Sequence, residues 1–129
     1  MREDGAAAVK LFVAPDGNDM ADGSERAPLA TLTAARQKIR ALKKTGPLPS
    51  GGVAVLVRGG TYALTDAFAL AAEDSGTEAA PVVYRAAKRG TTLLSGGVAL
   101  TDWRPVSDPA ALRLLDPAAQ SNVVMTVIP

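Results

Sequence analysis

The side chains available for chemistry are few, because the 129-residue chain contains neither histidine nor cysteine. Their absence excludes Ser-His and Cys-His catalytic pairs, disulfides and most transition-metal sites, which depend on thiolate or imidazole ligands. Carboxylates, lysine, arginine, tyrosine and serine remain. Any catalysis by this chain must therefore rest on those groups.

Two neighbouring carboxylates, Glu73 and Asp74, form the first candidate pair, and Asp66 lies near them in the chain. Neighbouring residues on a strand point to opposite faces of a sheet. The segment around the pair contains glycine and serine, which is typical of a turn. We therefore expect Glu73 and Asp74 to be solvated turn residues, with substrate binding as the alternative.

The segment Asp16–Ser24 carries acidic and amide side chains at alternate positions. Such oxygens are the ligands that Ca²⁺ prefers, but the EF-hand pattern fails here. Met20 stands where an oxygen ligand belongs, and no glutamate closes the loop. We predict a structural turn and no cofactor, with a Ca²⁺ site as the less favoured alternative.

One amphipathic helix is predicted over residues 31–44. Its apolar positions are Leu32, Ala35, Ile39 and Leu42, which share one face at the helical period. Thr31 suits the N-cap, and Gly46-Pro47 ends the helix. The basic residues of the helix stand in a chain of net charge +1, without interleaved aromatic residues. We therefore expect a solvated outer face rather than a nucleic-acid surface.

The chain beyond Gly51 consists of short apolar units separated by glycine-rich corners. Val53–Val57 is a continuous apolar run, typical of a strand covered on both faces. Further units lie at 68–70, 81–86, 92–95 and 98–100. Hairpin turns and strict alternation are absent, and the gaps are too short for intervening helices. Stacked coils of a solenoid fit this rhythm, because small aliphatic side chains fill a narrow interior.

Five blocks of this chain, in order, resemble the N-terminal region of right-handed parallel β-helix proteins of the pectin-lyase-like class. The blocks are LFVAPDGND, APLATLTAARQKIRAL, GGVAVLVRGGTYAL, EDSGTEAAPVVYRA and LLSGGVALTDWRPV, within residues 9–106. The resemblance implies a mainly β fold: the start of a right-handed parallel β-helix, with an N-terminal strand and one capping α-helix. The length of 129 residues predicts a single domain over 1–129. Within it, the resemblance implies that 9–50 hold the strand, turn loop and capping helix and that 51–129 hold the early coils.

The resemblance is closest to bacterial carbohydrate-active members and implies the cap and first coils of a glycoside hydrolase or polysaccharide lyase. Members of this class carry their catalytic carboxylates on later coils, so we expect no catalysis by this chain alone. A polysaccharide is the implied partner, in a secreted or periplasmic setting. Met1–Gly5 contain no apolar h-region, so we expect no signal peptide in this sequence. No apolar run approaches the roughly 18 residues that a bilayer requires, so no membrane partner is expected.

Trp103 and Asp102 are the candidates for sugar binding within these blocks, beside Glu73 and Asp74. An exposed tryptophan could stack on a sugar ring, but aromatic residues make up only 4% of the chain. We therefore favour a Trp103 ring buried under the following loop. Two arginines close to strand ends could serve lyase chemistry in a groove, although corner salt bridges are the favoured interpretation: Arg58 and Arg85.

A solenoid coil buries its face only against the next coil, so we expect the last strand edge of this chain to be open. The segment Val123–Ile128 has the β-propensity to add to the edge of another chain. We expect a homo-oligomer that forms through the exposed coil end. The alternative function is a non-enzymatic, self-associating structural or assembly module.

Overall fold

The computed structural model describes residues 7–128, which fall into two compact units divided after Gly96. Residues 1–6, on which the expectation about a signal peptide depends, lie outside the described residues, as does Pro129. The prediction of one domain over 1–129, with parts 9–50 and 51–129, stays a prediction.

The first unit combines strands with one long helix. Its strands are β1 (Val9–Val13), β2 (Val53–Val57), β3 (Gly60–Ala63), β4 (Val82–Ala86) and β5 (Thr92–Ser95). Its helices are α1 (Leu32–Lys44) and a one-turn 3₁₀ helix at Ala72–Asp74. The apolar unit at 68–70, which the sequence suggested as a strand, is not one in this structure.

The strands of the first unit form two parallel sheets. One has the order β1-β2-β4, with Val53 in register with both Val9 and Val82. The other joins β3 to β5, with Gly60 opposite Thr92. The pair β4–β5 therefore repeats β2–β3 and stacks on it strand upon strand. These observations confirm a mainly β fold with parallel sheets and few helices.

The core lies where α1 packs against the three-stranded sheet. Every residue of β2 is buried, as its continuous apolar run predicts. Leu32, Ala35 and Ile39 present the buried face of α1. Leu42 was predicted on the same face but is 38% exposed. The covered flank of the last turns instead carries Arg40 and Lys43, so Leu42 lies toward solvent.

The start of α1 is held by a side-chain cap and a carboxylate. The hydroxyl of Thr31 accepts a hydrogen bond from the backbone N–H of Ala34 at 3.1 Å. Asp19 accepts bonds from the backbone N–H groups of Ala30 and Thr31 and from the Thr31 hydroxyl, at 2.8–2.9 Å. The predicted N-cap is confirmed, and the loop before α1 positions it.

The second unit differs from the stacked parallel coils that the resemblance implied for residues up to 129. It contains β6 (Arg104–Pro105), α2 (Pro109–Leu112) and β7 (Val124–Met125), and β6 pairs antiparallel with β7. The apolar unit at 98–100 is not a strand, and strand structure in 123–128 is limited to β7. Prolines explain part of the difference, because residues 105, 109 and 117 have no backbone N–H for a sheet.

Candidate functional site

The carboxylates of Glu73 and Asp74 converge on one guanidinium, that of Arg40. Nε and Nη2 of Arg40 each lie 2.7 Å from an oxygen of Asp74, and Nη1 lies 2.8 Å from Oε1 of Glu73. The expectation of two solvated turn residues is wrong for Asp74, which is 6% exposed. Both residues belong to the 3₁₀ turn Ala72–Asp74. Neighbouring side chains of such a turn do not alternate between two faces as they do on a strand.

The environment of Asp74 keeps it ionised. Hydrogen bonds from Arg40 and from the backbone N–H of Ala71 hold the pKa of Asp74 well below its ordinary range. The same ion pair raises the pKa of the Arg40 guanidinium. A carboxylate in this state cannot donate a proton near neutral pH, so the geometry favours a structural role for Asp74.

Three basic residues of α1 hold the segment 69–75, and we call this arrangement the clamp. Arg36 donates through Nη1 to the carbonyl of Ala69. Lys43 donates through Nζ to the carbonyls of Glu73, at 2.6 Å, and Ser75. With Arg40 between them, these residues follow an i, i+4, i+7 spacing on one helix flank. The prediction of a solvated outer face is therefore wrong for this flank.

Sequence reasoning missed the clamp, although a signal was present. The helical spacing of Arg36, Arg40 and Lys43 was visible in the sequence. The acidic pair was visible too, and its first residue, Glu73, follows Lys43 by 30 positions. Their meeting depends on how the loop after β3 returns over α1, and no local pattern encodes that path. Phe68 contributes to it by packing edge-on against Tyr84 and beneath Arg36.

A cleft of about 270 Å³ lies beside the start of α1 and the end of β3. Its polar lining consists mainly of threonine hydroxyls and the exposed carboxylate of Asp66. Asp66 accepts a hydrogen bond from the hydroxyl of Thr65 at 3.3 Å. Glu73 and Asp74 do not line this cleft, so Asp66 does not join them in one carboxylate pair.

The two arginines considered for lyase chemistry lie within the first unit. Arg58 donates through Nη2 to the carbonyl of Glu25, and its guanidinium lies 5.7 Å from the centre of the Phe12 ring. Arg85 lies in β4, in register with Leu56. These positions give Arg58 a local contact at a corner, although its partner is a carbonyl rather than the expected carboxylate.

The loop Asp16–Ser24 forms the predicted structural turn. Asn18 accepts from the backbone N–H of Met20, and Asp22 accepts from that of Ser24, at 2.9 and 2.8 Å. The bonds from Ser24 lower the pKa of Asp22. Within residues 7–128, no group of three or more acidic side chains is placed to hold a metal ion.

Asp102 and Trp103 lie in the second unit, and their surroundings differ from the expectation. Trp103 is 55% exposed, and its indole N–H donates to the carbonyl of Leu100 at 3.0 Å. The prediction of a buried ring is wrong, because no residue of 97–128 is buried and this unit has no interior to receive it.

A second cleft, of about 340 Å³, lies within the second unit, and Trp103 is not among its lining residues. It is lined by Ala99, Thr101, Asp102, Arg104, Thr126 and Val127. Asp102 has a φ of 57°, in the left-handed region, and accepts a hydrogen bond from the Thr101 hydroxyl at 3.2 Å. The predicted site residues thus form two groups, one in each unit: Glu73 with Asp74, and Asp102 with Trp103.

None of the helices within residues 7–128 has the length and apolar character that crossing a bilayer requires.

No model of a known protein family matches the chain. Over 86 residues it is 31% identical to a Bacillus subtilis (strain 168) protein named "Uncharacterized protein YwoF", covering 67% of this chain and 15% of that one.

A solved structure named "Glycoside hydrolase" is similar in both fold and sequence. Its TM-score is 0.69 and its identity is 36%, over 75% of this chain and 16% of that chain. The chain thus spans about a sixth of the length of the relatives that it matches. Its structural neighbour is a glycoside hydrolase, as the sequence resemblance implied.

Proposed function

We propose that this chain forms the N-terminal cap and first coils of a right-handed parallel β-helix in a carbohydrate-active protein of the glycoside hydrolase type. One observation carries the proposal: a glycoside hydrolase shares this fold at 36% identity and a TM-score of 0.69. The short share of that chain, 16%, supports a role for these residues as one part of a larger catalytic protein.

The sheet pairings support the coiled architecture. β2 and β3 make one turn of strand, corner and strand, and β4 and β5 repeat it in register. Connections between parallel strands of one sheet are almost always right-handed, which gives the proposed hand. A third coil would add its strands to the outer edges of β4 and β5, where no strand among residues 7–128 pairs.

The position of α1 supports the role of a cap. β1 forms one edge of the three-stranded sheet, and Leu11 and Val13 share a core cluster with Leu32 and Ile39 of the helix. The helix thus covers apolar side chains near the first strand that a preceding coil would otherwise have to bury. The outer edge of β1 is bonded by the loop before α1, since the Phe12 N–H donates to the Gly23 carbonyl and the Leu29 N–H donates to the Phe12 carbonyl, and this limits unwanted strand pairing.

We propose that residues outside this 129-residue chain carry out catalysis. Glycoside hydrolysis uses two carboxyl groups about 5–9 Å apart, one on each side of the scissile bond. Glu73 and Asp74 instead share the guanidinium of Arg40. A polysaccharide partner and a secreted or periplasmic location belong to the same proposal.

The reading frame of the gene tests this proposal. We expect the frame to continue in phase beyond codon 129 through further strand-length apolar segments separated by glycine-rich corners. We also expect the 129-residue chain to release no sugar from a panel of polysaccharides. A stop codon directly after Pro129 would contradict the role of a cap.

A self-associating structural module is the second candidate, and one observation favours it. No further strand among residues 7–128 pairs with β4 or β5 beyond their partners β2 and β3, and Leu93 and Leu94 of β5 are 59% and 48% exposed. Open parallel edges with apolar side chains can pair with another copy. Light scattering at micromolar concentration tests this: a defined oligomer supports it, and a stable monomer contradicts it.

A further inference from the structure

We propose that residues 65–78 form a strap that opens away from α1 as one unit while both parallel sheets stay folded. The clamp residues Arg36, Arg40 and Lys43 hold this strap closed. The inference concerns a movement within the first unit and goes beyond the proposed function, on which it does not depend.

Backbone hydrogen bonds anchor both ends of the strap to the sheets. Before the strap, the N–H of Leu64 donates to the carbonyl of Ser95, the last residue of β5, at 2.8 Å. After the strap, the carbonyl of Ala79 accepts a bond of 2.8 Å from the N–H of Gly51, close to the start of β2. The strap can therefore leave the helix only as a loop with fixed ends.

Between these anchors, side chains hold the strap in place. Among residues 7–128, the backbone N–H groups of the strap that bond to backbone carbonyls do so within the strap or, for Thr77, to Ala80. The hydrogen bonds that tie the strap to α1 come from Arg36, Arg40 and Lys43. Long side chains lose rotamer freedom to keep such contacts, so they hold a segment less firmly than a ladder of sheet bonds does.

The strap buries little of its own surface. Asp74 is buried and Phe68 is half-buried, and the other residues of the strap are exposed. In the described part of the chain, Nε of Arg36 is buried without a hydrogen-bond partner, which costs free energy in the closed state. Segments with few buried apolar contacts and an exposed backbone open at lower free energy than the whole fold.

Opening changes the charge on one flank of α1. In the closed state, the carboxylates of Glu73 and Asp74 lie against the guanidinium of Arg40, and backbone carbonyls of the strap accept bonds from Arg36 and Lys43. Opening removes these partners together and exposes three cations at i, i+4 and i+7. The strap thus switches this flank between a largely neutralised and a basic state.

Amide hydrogen exchange, followed by NMR in the 129-residue chain, tests the strap. The N–H groups of Ala71 and Asp74 report on it, because each is hydrogen-bonded within the strap, and that of Val55 in the central strand β2 reports on the sheet. We expect the opening that exposes the strap amides to be at least ~10-fold more populated than the one that exposes Val55. Urea up to about 1 M should hardly change the exchange of the strap amides, because a local opening exposes little surface.

A matched pair of variants tests whether the clamp controls the opening. Lys43 and Lys44 are neighbours in the last turn of α1, but only Lys43 belongs to the clamp, and Lys44 is exposed. Lys43→Met keeps the ion pair of Arg40 with Asp74 and should fold. It should speed exchange at Ala71 and Asp74 several-fold, whereas Lys44→Met should leave both rates unchanged.

Three results of these measurements would overturn the strap. The first is exchange of Ala71, Asp74 and Val55 with the same free energy of opening and the same dependence on urea, which would mean that they open only by global unfolding. The second is exchange of the strap amides at the rate of an unstructured chain. The third is an equal effect of Lys43→Met and Lys44→Met.

Discussion

Arg40 and Asp74, which are 34 positions apart in the chain, form a bidentate ion pair with two nitrogen–oxygen distances of 2.7 Å. The pair fixes the 3₁₀ turn after β3 against the flank of α1. Arg36 and Lys43 add hydrogen bonds to backbone carbonyls on either side of it. The clamp is thus the main polar link between the proposed cap helix and the loop that leads to β4.

Removal of the Asp74 carboxylate should destabilise the first unit. Asp74→Ala removes two of the three hydrogen bonds made by the guanidinium of Arg40, whose side chain is 22% exposed, and leaves the Ala71 N–H without its acceptor. Glu73→Gln is the matched control, because the Glu73 side chain is 59% exposed and exposed ion pairs contribute little. We expect the midpoint of thermal unfolding to fall several-fold more for Asp74→Ala, and equal effects would contradict the clamp.

The clamp also predicts the response to acid. The pKa of Asp74 is lower in the folded chain than its ordinary value of 3.8. A carboxyl group of this kind contributes stability that is present above its unfolded pKa and is lost as the pH falls toward its folded pKa. Denaturant unfolding between about pH 5 and pH 2 should therefore show a shallower loss of stability for Asp74→Asn than for the unmodified chain. An equal loss of stability with falling pH in the two proteins would show that protonation of Asp74 is not coupled to unfolding.

Truncation of a side chain to alanine should change the free energy of unfolding by different amounts on the two sides of α1. Ile39 is 1% exposed and packs in the core cluster, whereas Leu42 is 38% exposed. Ile39→Ala should lower the free energy of unfolding by about 2–5 kcal/mol, because it removes buried methyl groups and leaves a cavity. Leu42→Ala should change it by only about 0.5 kcal/mol. Urea unfolding measures both free energies. A large effect at Leu42 would contradict the orientation of α1, in which Ile39 faces the core and Leu42 faces solvent.

The corner before β2 should not accept a side chain. Gly52 has a φ of +69°, and a Cβ there would lie 1.9 Å from the carbonyl oxygen of Pro81. Gly90 has a similar φ of +76° but open space around it. Gly90→Ala should cost only the backbone strain, about 1–2 kcal/mol, while Gly52→Ala should cost several-fold more. Equal stability of the two variants would show that β2 and β4 do not approach as described.

Some local elements of the first unit were predictable from the sequence, although 68–70 was wrongly predicted as a strand and the segment of β3 was interpreted as a corner. The N-cap at Thr31, the continuous apolar run of β2 and the turn formers at Asp16–Ser24 each encode their structure over a few residues. Parallel pairing followed from the absence of hairpin turns. The prediction of the buried face of α1 was wrong at Leu42, because Leu42 continues the apolar spacing while contacts with 69–75 determine the packing.

The candidate site depended on longer-range information. Glu73 and Asp74 were visible as acidic neighbours, but their shared partner, Arg40, lies on another element. Trp103 was predicted to be buried because aromatic residues are scarce, and that argument assumed an interior that residues 97–128 lack. The sequence alone does not show which segments of a chain share a core.

Sugar release by the protein that the whole reading frame encodes is the most direct measurement of the proposed function. We expect this protein to release reducing ends from at least one polysaccharide, while the 129-residue chain alone releases none. A folded whole protein that releases no sugar from any polysaccharide of a broad panel would contradict the assignment to the glycoside hydrolase type.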